Sequence, residues 1–286
     1  MSPGAHIIGA VEAALGCGVE AAAPVSGGCI SAAYRVVLGD DRTIFLKTAP
    51  AGAPAGLLES EAVSLTRLAA AGAVRVPRLI AAGGSWLALE WLDSGAATTS
   101  HWQQLGGALA KLHRHAGPGY GWDRDNFIGT LAQQNGAMAS WSEFWAERRL
   151  KPQAERARRR LDRGLLAMLA RLVDQLDERL DGAEHDPPSL LHGDLWNGNV
   201  HMTPSGPAVI DPSAYYGHRE VDLAMAALFG GFPQAFHDGY VAEWPLLAGS
   251  AGRQPIYQLY YLLVHVNLFG DSYVPRTQRA LEAALR

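Results

Sequence analysis

Apolar positions recur along the chain with two different periods, which divide it into a strand-bearing first third and a mostly helical remainder. Residues 5–16 read as a short helix. Val25-Ser26-Gly27-Gly28-Cys29-Ile30-Ser31 reads as a flexible glycine turn. Ala33 to Val37 and Thr43 to Lys47 read as two strands joined by the polar hairpin link Gly39-Asp40-Asp41-Arg42. Leu57 to Ala71 carries Leu58, Ala62, Leu65 and Leu68 near one stripe, the spacing of a helix. Trp86 to Leu92 reads as another strand. From about Asp93 helices dominate, with one over Gln103 to His115 and one or two more over Ser140 to Leu180. A short β-rich insert is expected around 190–212, and helices resume from about Val221.

This order implies an α+β fold of two lobes, a small β-rich lobe over residues 1–92 and a larger helical lobe over 93–286. A length of 286 residues, 48% hydrophobic and 18% charged, is enough for a sizeable core. A net charge of −4 gives no whole-molecule attraction to nucleic acid or to an anionic membrane, so neither is expected as a partner. The chain holds no apolar run of about 18 residues, and Met1 to Ala10 does not read as a signal peptide. Cys17 and Cys29 are too few for a disulfide scaffold, which fits a reducing cytoplasm. The oligomeric state is left open by these patterns.

Charge type adds one clue. The basic residues are overwhelmingly arginine, and Lys47, Lys111 and Lys151 are the only lysines. Lys47 closes the apolar strand Ile44-Phe45-Leu46, about 20 residues after the glycine turn. A lysine there is either a snorkelling surface residue or a compact point charge aimed at phosphate.

The chemistry concentrates in Leu190-Leu191-His192-Gly193-Asp194-Leu195-Trp196-Asn197-Gly198-Asn199-Val200. An aspartate followed five positions later by an asparagine is the spacing of the kinase catalytic loop H-R-D-x-x-x-x-N, with Gly193 in place of arginine. Twelve residues after Asn199, Asp211 closes the apolar string Ala208-Val209-Ile210. Phosphoryl transfer needs a carboxylate to orient the attacking hydroxyl and accept its proton, and oxygen ligands for Mg2+ at the phosphates of ATP. Asp194 suits the first role as catalytic residue, and Asn199 and Asp211 suit the second as metal ligands. Alone, the H-x-D triplet reads equally as turn chemistry or part of a metallohydrolase site. Glu59 and Glu61 lie on the helix after Lys47, and one of them is expected to pair with it. Gly27 and Gly28 fit a flap over phosphates, and the string lacks the G-K-[ST] of a Walker loop.

These residues resemble the fructosamine kinase (ketosamine-3-kinase) family, a branch of the aminoglycoside phosphotransferase-like kinases. The resemblance runs roughly from Val25 to Phe269. It includes Gly27-Gly28-Cys29-Ile30, Leu58-Glu59-Ser60-Glu61-Ala62-Val63-Ser64-Leu65, Tyr120-Gly121-Trp122 with Asp125-Asn126-Phe127-Ile128-Gly129, and Trp141, Phe144, Arg148 and Leu150. Tyr216-Gly217-His218-Arg219-Glu220 and Phe229-Gly230-Gly231-Phe232-Pro233 are similar to two further family stretches. Trp122 departs from the pattern, which has phenylalanine there.

The resemblance implies a two-lobed protein-kinase-like fold and transfer of the γ-phosphate of ATP to the sugar 3-hydroxyl of a ketosamine. Phosphorylated ketosamines decompose, so the activity would repair glycated amines. The acceptor would be a small-molecule ketosamine or a glycated protein. The register favours Glu61 as partner of Lys47. Glu90 to Leu92 becomes the hinge whose backbone would bind adenine, and Trp196, Trp141, Phe232 and His218 become candidates for the sugar pocket. Each of those four reads at least equally as core. His192 and Asp222 are expected to brace the catalytic loop, and Arg156, Arg158, Arg159, Arg160 and Arg163 to form a solvated helix face. Cys29 reads either as a redox switch or as a small loop residue. The rival readings are a sister kinase acting on an aminoglycoside or choline, and a binding module without catalysis.

Overall fold

The computed structural model describes residues 2–25 and 31–286, so Gly27, Gly28 and Cys29 lie outside the described residues. Helix α1 (Ala5–Leu15) precedes strands β1 (Val19–Val25), β2 (Ala32–Leu38) and β3 (Thr43–Thr48). Helix α2 (Leu57–Ala71) then leads to β4 (Leu79–Gly83) and β5 (Trp86–Glu90). The five strands form one antiparallel sheet in the order β1-β2-β3-β5-β4.

Strand periodicity decides what each face of this sheet does. Along β3, Ile44 and Leu46 point to the outer face and pack with Ile7 and Val11 of α1 and with Val36, Leu38 and Trp86. Phe45 and Lys47 point the other way, into the cleft. The apolar stripe of α2, Leu58, Ala62, Leu65 and Leu68, buries against the remainder of the molecule. Glu61 is one position off that stripe, so α2 packing also sets where this carboxylate points. The helix ends at Gly72, whose φ of 66° is the left-handed cap conformation.

A connection through Trp91 to Thr98 leads to α3 (Thr99–His113). The helix starts four residues before the apolar pattern does, because the Thr98 side chain accepts a hydrogen bond from His101 N and caps it. A small hairpin, β6 (Asn126–Ile128) and β7 (Leu131–Gln133), follows. Helix α4 (Trp141–Phe144) runs through a π-helical stretch, Trp145–Leu150, into α5 (Lys151–Ala157), and then come α6 (Arg163–Asp174) and α7 (Leu176–Arg179). The β-rich insert contains β8 (Ser189–Leu191), β9 (Val200–Thr203), β10 (Gly206–Val209) and β11 (Tyr215–Gly217), paired as β9 with β10 and β8 with β11. The chain closes with α8 (Glu220–Leu228), α9 (Gln234–Glu243), α10 (Ser250–Phe269) and α11 (Val274–Ala284).

One continuous core joins α2 and the inner sheet residues Leu87 and Leu89 to α3, α8 and α10. It carries the insert on its cleft side, so the loops around β8 to β11 stand on packed elements. No helix among the described residues is long and apolar enough to cross a membrane.

Candidate active site

The loop after β8 is shaped by three backbone requirements. Gly193 has a φ of 83°, and a Cβ there would lie 2.0 Å from the Ser213 carbonyl oxygen. Only glycine fits, which is the physical reason this chain has His-Gly-Asp. His192 is buried, and burial lowers its pKa, so the ring is neutral. Its Nδ1 accepts from Asp194 N at 3.3 Å, and its Nε2 donates to the Ile210 carbonyl at 3.0 Å. Asp222, also buried, accepts from His192 N (2.7 Å), Gly193 N (2.9 Å) and His113 Nε2 (3.1 Å). Tyr261 Oη donates to the Gly193 carbonyl at 2.9 Å. His192 and Asp222 therefore brace the loop and do not face the cleft.

Asp194 and Asp211 project from this frame toward Lys47. Lys47 Nζ lies 2.7 Å from Glu61 Oε2 and 3.0 Å from Asp211 Oδ1. Glu59 is exposed on the other side of α2. Burial works against the Lys47 charge, but the two carboxylates outweigh it and hold its pKa above the ordinary lysine value. Burial raises Glu61 to about 7 despite Lys47, and its second oxygen, Oε1, is buried without a partner among the described residues. Asp194 is also pushed up to about 7, by burial and then by the negative charge of Asp211. Among the described residues its only side-chain donor is Asn199 Nδ2 at 3.3 Å, which bonds the Asp194 carbonyl at 2.9 Å as well. Asp211 has a φ of 55°, a left-handed conformation rare outside glycine and often found where function demands it.

Among the described residues no three His, Cys, Asp or Glu side chains converge on one metal position. What the cleft offers is Asn199 Oδ1, which accepts no hydrogen bond among the described residues, and the Asp211 carboxylate, whose side chain is 38% exposed. A pair of oxygen ligands completed by phosphates and water is how Mg2+ is usually held at nucleotides, so the residues fit that ion.

Two spaces open from this constellation. On one side, a cleft of about 280 Å3 runs between Phe45 and Leu89 of the sheet and Ile210 below, past Lys47 and Asp211 to Glu90, Trp91 and Leu92. The two hinge candidates differ in what they have free. The Leu92 carbonyl accepts from His201 Nε2 at 3.1 Å, and the Glu90 carboxylate accepts from Arg78 N at 3.1 Å. On the other side, a pocket of about 380 Å3 is walled by Trp196, Met225, Phe229, Tyr261, Val264, His265, Leu268 and Phe269, with Asp194 at its inner end.

The four sugar-pocket candidates separate here. Trp196 lines the space around Asp194 on both sides. Trp141 and His218 are corrected to core: they are 0% and 1% exposed and both hydrogen-bond Tyr257 Oη, at 3.0 and 2.7 Å. Phe232 packs on Trp102 and Phe236, with ring centroids 5.4 and 4.7 Å away, outside the pocket wall. Phe229, in the same glycine-bearing string, takes the position at the pocket. Tyr261, Val264, His265 and Leu268 went unnoticed because spacing of three and four on a long helix reads as core.

Comparison with known proteins places the chain in a family. The family model described as fructosamine kinase matches residues 5–286. A "Probable ketoamine kinase" of Synechocystis sp. is 42% identical over 268 residues, 92% of this chain and 89% of that protein. A crystal structure of a candidate fructosamine-3-kinase from Thermobifida fusca superposes with a TM-score of 0.91 at 37% identity, covering 98% of each chain. The gentamicin-APH(2")-IIa complex shares the fold alone, with a TM-score of 0.65 at 12% identity over 100% of this chain and 97% of that one. Matched in sequence and in fold along nearly its whole length, the chain belongs to the fructosamine kinase family and is an ATP-dependent phosphotransferase acting on an alcohol.

Proposed function

We propose that the protein transfers the γ-phosphate of ATP to the sugar 3-hydroxyl of a ketosamine, a step that lets glycated amines decompose and be repaired. ATP sits between residues 1–92 and 93–286, with adenine near Glu90 to Leu92 and Gly27 and Gly28 over its phosphates. Lys47, steadied by Glu61, contacts the phosphates. Asn199 and Asp211 hold Mg2+, which when bound neutralises phosphate charge. Asp194 orients the acceptor hydroxyl and takes its proton, and a carboxyl raised to about 7 is matched to that task near neutral pH.

The observation that carries this reading is the position of Asp194. It stands where the nucleotide-side space, with Lys47 and Asp211, meets an aromatic pocket of sugar-binding character. That pocket has no carboxylate besides Asp194 among its walls, which disfavours the polycationic aminoglycosides as acceptors. The test is ATP consumption with Mg2+ against fructosyl-lysine, ribulosyl-lysine, choline, kanamycin and a glycated protein. Turnover confined to ketosamines is expected. Turnover of choline or kanamycin alone would reassign the acceptor while leaving the phosphotransferase chemistry in place.

A further inference from the structure

The aromatic pocket beside Asp194 joins a carboxylate to an apolar wall. Its inner end holds the Asp194 carboxylate, and its length is walled by Met225, Phe229, Val264 and Leu268. Beside Phe229, a residue of that lining, stands a cation that is not itself part of it. Arg276, exposed on α11, places its guanidinium 5.1 Å from the Phe229 ring centroid, and its Nη2 donates to the Leu228 carbonyl at 2.8 Å. Among the described residues Arg276 forms no ion pair and donates no other hydrogen bond. The charged pair near the end of α10 is self-neutralised, with Arg160 Nη1 2.9 Å from Asp271 Oδ1. A guanidinium held over a ring and tied at one nitrogen is pre-organised, and its remaining edge suits a planar carboxylate.

An acceptor that puts its sugar at Asp194 therefore lays whatever its amine carries along an apolar wall and toward a cation. We propose that Arg276 is a specificity-determining residue that reads a carboxylate on the amine side of the acceptor. The preferred acceptors are then ketosamines of amino acids whose aliphatic stem separates the glycated amine from the carboxylate. An adduct of an uncharged amine fills the same wall and leaves Arg276 in water. The inference rests on the ketosamine reading above.

The test compares kcat/KM for two ketosamines of the same sugar, one made from 6-aminohexanoate and one from hexylamine, which differ in the terminal carboxylate. A charge-assisted contact to this exposed guanidinium predicts a preference of up to about tenfold for the carboxylate adduct, mostly in KM. Added salt should weaken it. Arg276→Gln is expected to bring the ratio to about one, and Arg276→Lys to leave an intermediate ratio. The ratio separates recognition from any general loss of folding, which would lower both rates together. Equal kcat/KM for the two adducts in the unaltered enzyme overturns the assignment, as does an undiminished preference in Arg276→Gln. If neither adduct is phosphorylated at all, the ketosamine reading falls, and this inference with it.

Discussion

Asp194 and Asp222 sit on opposite sides of one loop and are treated in opposite ways. Behind the loop, Asp222 has two backbone N–H groups and His113 as donors, and these hold its carboxyl below the ordinary range against the effect of burial. In front, Asp194 has one long contact from Asn199 and a negative neighbour in Asp211, and its carboxyl rises to about 7. The same pattern extends outward from each. His113 Nδ1 meets Tyr240 Oη at 2.8 Å, and Arg219, fully buried, bonds Asp186 at 2.6 Å and the Trp244 and Pro245 carbonyls at 3.2 and 2.7 Å. In the cleft, Lys47 is shared between two carboxylates and Glu61 Oε1 has no partner among the described residues. Residue type and burial alone do not decide the role of an aspartate; the supply of donors does. A carboxylate fully supplied is a brace, and one left short is available for a ligand and a proton.

The contrast can be broken most severely at Asp194. Asp194→Asn should fold as the parent does and lose activity by about a thousandfold, as expected when a positioned proton acceptor is removed. A fully active variant in the same ATP-consumption assay would remove Asp194 from catalysis. The variant should also melt higher at pH 8. A carboxyl whose folded pKa is raised contributes stability below its unfolded value and loses it as pH rises through the folded one, so the gain should vanish near pH 4.

On the bracing side, Asp222→Ala leaves the His192 and Gly193 N–H groups buried without an acceptor, which costs about 3 kcal/mol or more. Chemical denaturation should show that loss, together with lost activity, although Asp222 touches no substrate. Gly193→Ala tests the backbone between the two aspartates. It forces a Cβ to within 2.0 Å of the Ser213 oxygen at a φ of 83°, with an expected cost of about 1–3 kcal/mol and a displaced Asp194.

The smallest effect is on acid stability. Buried His113 and His192 both have lowered pKa values in the folded protein, so below about pH 6.5 the unfolded chain binds more protons than the folded one. With Asp194→Asn and Glu61→Gln removing the opposing proton uptake of those two raised carboxyls, stability should fall as pH drops from 7 to 5, with Asp222 adding to the loss at still lower pH. A thermal melting series across that range checks the direction. A flat profile would mean that these rings exchange protons with solvent in the folded state.

Much of the fold was legible because it depends on local pattern. The stripe on α2 and the alternation in β2 and β3 predict those elements within a residue of their bounds. β1 and β4 were not, since their partly exposed, Ala-rich strands show little alternation and are stabilised by neighbours they pair with, and the β6–β7 hairpin was not because strands of three residues are too short to show a period. At the site, Asp194, Asn199, Asp211 and Lys47 could be picked out because polar residues at strand ends and in a glycine loop stand out against apolar surroundings. Trp141 and His218 could not be told from pocket residues, because an aromatic buried in a core and one lining a cavity look alike in sequence. The same ambiguity hid His265 and Tyr261 on α10.

The linear order of residues thus specifies the spacing of the catalytic loop, the periodicity of its scaffold and the family to which the chain belongs. These follow from local backbone geometry and from side-chain chemistry that needs no neighbours to be recognised. Which carboxylate keeps an ordinary charge, which aromatic lines the pocket beside Asp194 and which arginine packs on that aromatic depend on donors and rings brought from distant positions. His113 lies 109 residues from Asp222, and Lys47 lies far from Asp211 in the chain yet 3.0 Å away in the folded protein. Electrostatic and packing environments are sums over such neighbours, so they come into being only when the chain closes on itself.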